Sequence, residues 1–333
     1  MATKLRWGVL STAGIGWKKV IPAMQLGELT TIDAIGSREL EKARDVAARF
    51  GIARAYGSYE EVLADPEIDA IYNPLPNHLH VPWTVKAAEA GKHVLCEKPM
   101  SLTVAEAEML LEVRARTGVT IGEAFMVDCH PQWVRVRELL RAGTVGELRS
   151  LVGFFSYFNV DPKNIRNQAD IGGGALMDIG CYMVHAARYA WEREPERVVG
   201  SIDRDPAMGT DRLTSAILEF SGGGQAIFTC STQLVPYQRV HLVGTKGRIE
   251  VEIPVNSPPD AETRILVDRG AEGSEWETFA ACDQYTLQGD AFSRAVMGGG
   301  EAPVSLENAI GNMRVIEAVF RSGKSRLWES VGG

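Results

Sequence analysis

No two of the five cysteines, Cys96, Cys129, Cys181, Cys230 and Cys282, form a C-x-x-C pair, and their number is odd. That spacing argues against a disulfide framework and against a cysteine zinc site, so reduced thiols and no bound metal are expected. Basic runs are as scarce: none extends beyond Lys18-Lys19, and 35 Lys and Arg stand against 43 Asp and Glu, a net charge of −8. A phosphate backbone finds no basic face on such a chain, which argues against nucleic acid as a partner. Long apolar runs are missing too. Met1-Ala2-Thr3-Lys4-Leu5-Arg6 leads into a strand-like run without a signal-peptide core, and no stretch reaches membrane-spanning length. A cytoplasmic protein with no membrane partner is the expectation. What remains is an ordinary globular composition, 45% hydrophobic and 23% charged over 333 residues, long enough for two domains.

The chain opens with an apolar strand, Leu5 to Leu10, a turn Ser11-Thr12-Ala13-Gly14-Ile15-Gly16, and a helical pattern as far as Leu26. The dinucleotide fingerprint G-x-G-x-x-G would put glycines where Ser11, Ala13 and Gly16 stand, so the match is degenerate. Small side chains still let backbone N–H groups approach a pyrophosphate at a helix N-terminus, and Ser11 to Ile15 are candidate cofactor contacts. Pro22 should bend or interrupt that helix. A second strand, Thr30 to Gly36, ends in Ser37-Arg38, where the fold reads the ribose. A hydroxyl plus a guanidinium suits a 2′-phosphate, which favours NADP over NAD. Equally, Arg38 reads as a surface residue opening the helix Glu39 to Phe50. Ser58 and Glu61 form a capping box for another helix.

Asp69 to Asn73 is a buried strand broken at Pro74-Leu75-Pro76-Asn77-His78, before a helix from Leu79 to Ala90. Leu75, Pro76, Asn77 and His80 are candidate contacts to the ribose or nicotinamide, although Asn77 serves equally as a helix N-cap. The next strand runs into Glu97-Lys98-Pro99. Proline fixes its own φ and pushes the preceding residue out of the helical region, so Lys98 should sit at a strand tip. Strand tips line the ligand crevice of a doubly wound sheet, which makes Glu97 and Lys98 candidates. Six strands alternating with helices form a dinucleotide-binding domain over 1–123.

From 124 to 333 the grammar changes to strands separated by turns, implying a second α/β domain with a large, mostly antiparallel open sheet. One face of such a sheet needs helices and the other needs a partner, so dimerisation through it is plausible. Within this domain lies Asp170-Ile171-Gly172-Gly173-Gly174-Ala175-Leu176-Met177-Asp178-Ile179-Gly180-Cys181-Tyr182-Met183-Val184-His185. Asp178, Tyr182 and His185 stand at i, i+4 and i+7, on one helix face. A carboxylate, a phenol and an imidazole make a poor core stripe and a good candidate site. Arg166 and Asn167, just upstream, are further candidates for binding substrate hydroxyls.

Three segments, Gly91 to Pro99, Pro74 to His80 and Gly172 to Tyr182, resemble the glucose-fructose oxidoreductase, inositol dehydrogenase and rhizopine catabolism superfamily over nearly the whole chain. The resemblance implies an N-terminal Rossmann domain, a C-terminal α/β domain, homodimers or homotetramers, and a cis peptide before Pro99. By position, Lys98 matches the family's catalytic lysine and Asp178 its acid near the substrate. Inositol dehydrogenase-like members carry histidine where this chain has Tyr182, so the chain is more similar to members with a tyrosine as proposed acid/base. An NADP-dependent oxidoreductase acting on a sugar or related cyclic polyol follows as an expectation. Non-catalytic nucleotide-sensing regulators and NAD-dependent glycosidases of the same fold stay open, although Lys98, Asp178 and Tyr182 together argue against the former.

Overall fold

The computed structural model describes residues 4–332. Its contacts divide the chain into two compact units, Met1–Cys129 with Asp283–Ile310, and His130–Cys282 with Gly311–Gly333. The first holds a six-stranded sheet of β1 (Leu5–Leu10), β2 (Thr30–Gly36), β3 (Arg54–Tyr56), β4 (Ala70–Asn73), β5 (His93–Glu97) and β6 (Ile121–Ala124). Its order is β3-β2-β1-β4-β5-β6 and every pairing is parallel. This is the doubly wound nucleotide-binding arrangement expected from the alternating pattern. Helices α1 (Ile21–Gln25), α2 (Leu40–Phe50), α3 (Tyr59–Ala64), α4 (His80–Glu89) and α5 (Val104–Thr117) connect the strands. Pro22 lies in the first turn of α1, where no helical partner is needed for its missing N–H, and the turn before it widens into a π-helical stretch over Gly16–Val20.

The division expected at 123/124 is not where the contacts fall, because the segment Asp283–Ile310 returns to the first unit. Hydrophobic burial explains the return. Trp7 and Phe292 are both 0% exposed and their rings lie 5.3 Å apart. The Asp290 carboxylate accepts from the N–H groups of Glu28 and Leu29 at 2.9 and 2.8 Å, and Val304 C=O accepts from Glu123 N–H at 3.0 Å. A reading along the chain sees the grammar change after β6 but has no signal that a later helix comes back to cover β1.

The second unit carries α6 (Pro131–Arg141), α7 (Cys181–Trp191) and a nine-stranded sheet. Its strands are β7 (Leu148–Phe158), β8 (Arg197–Arg204), β9 (Asp211–Phe220), β10 (Gly224–Ser231), β11 (Gln233–Gly244), β12 (Arg248–Val251), β13 (Thr263–Asp268), β14 (Ser274–Phe279) and β15 (Glu329–Ser330). The order is β14-β13-β12-β11-β7-β10-β9-β8-β15, antiparallel except for β7 with β10. Burial alternates along the centre of these strands: Leu151, Phe155, Ala226, Phe228, Val240 and Leu242 are buried, whereas Val152, Ile227 and Tyr237 are 44%, 40% and 49% exposed. The buried face receives α7, with Phe155 edge-on to Tyr182 at 6.1 Å between ring centroids. Among the described residues, no helix is long and apolar enough to cross a membrane.

The end of β2 is held close to α3. Ser58 caps this helix, its hydroxyl accepting from Glu61 N–H at 3.2 Å while the Glu61 carboxylate accepts from Ser58 N–H at 3.0 Å. A Cβ on Gly36 would come within 2.6 Å of Val62 Cγ2 and 2.8 Å of the Ser58 carbonyl oxygen, and the latter belongs to backbone that the capping box holds. Gly36→Ala should therefore destabilise the protein by about 1–3 kcal/mol through overpacking; a urea midpoint equal to that of the parent chain would contradict this packing.

Candidate active site

In the first unit the candidate residues gather where β1, β2, β4 and β5 end. Ser11 follows β1 with φ +81°, the left-handed conformation that the fingerprint ordinarily gives to glycine. Its N–H donates to Gly36 C=O at 2.8 Å, and its hydroxyl accepts from Ala13 N–H at 3.2 Å. Thr12, Ala13 and Ile15 are half-buried, and a Cβ on Gly14 would meet nothing within 4 Å. Open space over a turn of small residues at a helix start fits a pyrophosphate. Ser37 is buried and accepts from Glu39 N–H at 3.3 Å, whereas Arg38 is exposed beside Tyr59. An exposed guanidinium at the ribose end fits a 2′-phosphate.

After β4, Leu75 is buried and Pro76 and Asn77 are half-buried, Asn77 opening a 3₁₀ turn rather than capping α4. His80 faces inward. It is 1% exposed, and its two ring nitrogens lie 2.8 Å from Pro99 C=O and 2.6 Å from Leu75 C=O, which leaves neither to reach a ligand. After β5, Glu97 accepts from the Tyr72 hydroxyl at 2.6 Å and from Lys98 N–H at 3.3 Å, and the Lys98-Pro99 peptide is cis. Burial first, then the Glu97 charge, pushes the Tyr72 phenol well above its ordinary range, and the same two causes raise Tyr285. Both tyrosines stay protonated beside Glu97, as donors rather than bases.

In the second unit a short network surrounds Asp178. Its Oδ2 accepts from Arg166 Nε at 3.0 Å and from the Tyr157 hydroxyl at 2.6 Å. Burial and then the Asp178 charge raise the Tyr157 phenol far above its usual value. Tyr182 is buried on α7, and His185 lies a turn further on, its ring 6.1 Å from that of Tyr189. Asn167 is turned into the loop, its Nδ2 donating to Asp161 C=O at 2.8 Å. The glycine run forms the hinge of this arrangement. Gly174, at φ +122°, donates its N–H to Arg166 C=O at 2.8 Å and accepts from Asp178 N–H at 3.0 Å. A Cβ there would overlap Asp211 Oδ1. Asp211 Oδ2 in turn accepts from Leu176 N–H at 2.7 Å and from the Thr214 hydroxyl at 2.9 Å. Tyr157 and Asp211 carry no motif; the one available signal was an inward-facing tyrosine in the alternation of β7.

Comparison with known proteins shows the family and the fold. Residues 5–125 match the oxidoreductase family with an NAD-binding Rossmann fold, and residues 133–250 match the GFO/IDH/MocA C-terminal domain. An uncharacterized oxidoreductase, ORF334, of Rhizobium meliloti is 49% identical over 98% of this chain and 99% of its own length. A D-xylose 1-dehydrogenase (NADP(+)) of Haloferax volcanii is 38% identical over 96% and 98%. Among solved structures, the 3-ketoreductase KijD10 of Actinomadura kijaniata, in complex with NADP and TDP-benzene, superposes with a TM-score of 0.89 at 31% identity, covering 96% of this chain and 98% of that one. Matching structures of that ketoreductase include variants with a lysine replaced by alanine and a tyrosine replaced by phenylalanine.

Burial pushes the Asp211 carboxyl up to about 6. A carboxyl whose folded pKa lies above its unfolded value, ordinarily about 4, stabilises the fold while protonated and loses that contribution as pH rises through the folded value. The buried His130, pushed down to about 4, works in the opposite direction over the same range, so the parent chain shows only the sum. The difference between parent and Asp211→Asn isolates the carboxyl. From pH 4 to pH 6.5 the parent should lose about 2–3 kcal/mol more unfolding free energy than the variant. Parallel urea-derived profiles for the two proteins would show that Asp211 ionises as an exposed carboxyl does.

Proposed function

The chain belongs to the GFO/IDH/MocA oxidoreductase family and is an NAD(P)-dependent oxidoreductase; from that premise we propose that it exchanges a hydride between NADP and a carbinol or carbonyl carbon of a sugar or related cyclic polyol, in the cytoplasm. The observation that supports the reading is that one chain of this family carries Lys98 just after β5 and, in its second unit, Asp178 in the turn before α7 and Tyr182 in the first turn of α7. The nicotinamide supplies the hydride chemistry at its C4. The chain's own residues manage the oxygen. In the oxidising direction the hydroxyl proton goes to Tyr182 as the C–H electron pair leaves, and in the reducing direction the Tyr182 hydroxyl returns it.

A phenol titrates near ~10 in water, so it needs a neighbouring cation to act as a base at neutral pH. The Lys98 ammonium has that role in this reading, and it also hydrogen-bonds the reacting oxygen. Asp178, oriented by Tyr157 and Arg166, accepts from neighbouring hydroxyls of the substrate, and the outward part of the Arg166 guanidinium meets them too. His185 supports the same helix face. Ser37 and Arg38 favour NADP over NAD, in line with the coenzyme named for the xylose dehydrogenase and bound by the ketoreductase. A lysine and a tyrosine are also the residue types replaced in that ketoreductase, and this reading gives both types chemical roles. The exposed Val152, Ile227 and Tyr237 face of the nine-stranded sheet pairs with a second copy, giving a homodimer or homotetramer.

A panel of aldoses, inositols and keto-sugars with NADP or NAD, followed by nicotinamide absorbance, should show turnover with at least one of them and a lower KM for NADP. Lys98→Ala should lower kcat by about two to four decades with little change in cofactor affinity, and an unchanged kcat would remove Lys98 from the chemistry. Light scattering should give a mass of at least two chains, reduced by Ile227→Asp; a monomer at micromolar concentration would remove the sheet face from assembly.

A further inference from the structure

Three successive backbone groups around Lys98 are each tied by a side chain from a different place. Lys98 N–H donates to Glu97 at 3.3 Å, Pro99 C=O faces His80 Nδ1 at 2.8 Å, and Met100 N–H donates to Glu123 Oε1 at 2.7 Å. Glu97 ends β5, His80 opens α4 and Glu123 lies in β6. His80 also reaches Leu75 C=O at 2.6 Å, so one ring bridges the loops that follow β4 and β5. Its own C=O accepts from Asn73 Nδ2 at 3.1 Å, which ties the start of α4 to the end of β4.

Buried main-chain groups need partners, and a water or a serine would satisfy that requirement alone. Here the partners are a histidine 1% exposed and a glutamate 2% exposed, and burying a carboxylate carries a desolvation penalty that a neutral partner avoids. Two costly residues on one three-residue turn point to a demand for fixed geometry. A reacting group displaced by about 1 Å can lose about a hundredfold in rate. We propose that His80 and Glu123 are positioning residues, which hold the main chain of Lys98-Pro99-Met100 so that the Lys98 amine meets the reacting oxygen, and which act on turnover only through Lys98. Burial lowers the His80 pKa to about 4, so near pH 7 the ring is neutral and its single N–H donates to one of the two carbonyls while the other nitrogen lies beside the second. This inference rests on the catalytic role proposed for Lys98.

A double-mutant cycle separates positioning from general support of the fold. Single-turnover hydride transfer would be measured for Glu123→Ala, Glu123→Gln and His80→Gln, each with Lys98 present and in Lys98→Ala, alongside NADP affinity and thermal midpoint. With Lys98 present, Glu123→Ala and His80→Gln should slow the step about 10- to 100-fold, with NADP affinity changed less than about threefold. Glu123→Gln, which keeps an acceptor for Met100 N–H, should restore most of the rate. In Lys98→Ala the same substitutions should cost less than about twofold. Equal losses in both backgrounds, or no loss from either substitution, overturn the inference and leave the role of Lys98 standing. Full turnover by Lys98→Ala alone overturns the proposed function itself. Should His80→Gln fail to fold, the Glu123 pair decides.

Discussion

A parallel sheet delivers the carboxyl end of every strand to the same edge, and the chemistry of the first unit depends on that constraint. Ser11, Ser37, Pro74 and Lys98 follow β1, β2, β4 and β5, and no two are neighbours in sequence. What the sheet does not provide is fixed geometry at those tips, because the turns beyond the ladder have lost their strand partners. Side chains take over: the Ser11 hydroxyl bonds Ala13 N–H, and Glu97, His80 and Glu123 hold the turn at Lys98. Coarse placement comes from strand order and fine placement from buried polar contacts.

The second unit solves the same problem without a parallel edge. Its candidate residues sit at the start of α7 and in the loop before it, so the relation of Arg166 to Asp178 depends on how the glycine run turns. Gly174 connects the two through its N–H and C=O, and Asp211 occupies the space that any side chain at 174 would need. A carboxyl placed there is costly to ionise, which is why its titration registers the packing of the loop. Tyr157 then gives Asp178 a short second hydrogen bond from β7, an element otherwise devoted to the sheet core.

Much of this was legible in the sequence because it rests on local rules. Strand and helix alternation, the Ser58 capping box, the Ser37-Arg38 pair and the Lys-Pro strand tip each follow from a few neighbouring residues. The outward and inward alternation of β10, with Ile227 exposed between buried Ala226 and Phe228, likewise follows from a period of two. Long-range contacts were not legible. The imidazole of His80 was expected to face a ligand, but two carbonyls from loops five and nineteen residues away claim both its nitrogens. The Asn167 carboxamide N–H closes its own loop on Asp161 C=O, a contact the sequence does not announce. Asp211 and Tyr157 owe their importance to partners 35 and 21 residues distant, and no spacing rule reaches that far.

The return of Asp283–Ile310 to the first unit bears on how the chain is made. Synthesis runs from the N-terminus, so β1 to β6 leave the ribosome long before Phe292 does. For that interval Trp7 has no cover from Phe292, and Glu28 and Leu29 await the Asp290 carboxylate. The nucleotide-binding half thus begins folding before the second unit and is completed after most of it, with the whole of the nine-stranded sheet except β15 emerging in between. Its native state is available only once residues 283–310 have been synthesised, and a nascent chain that stops short of them presents an apolar surface suited to chaperone capture.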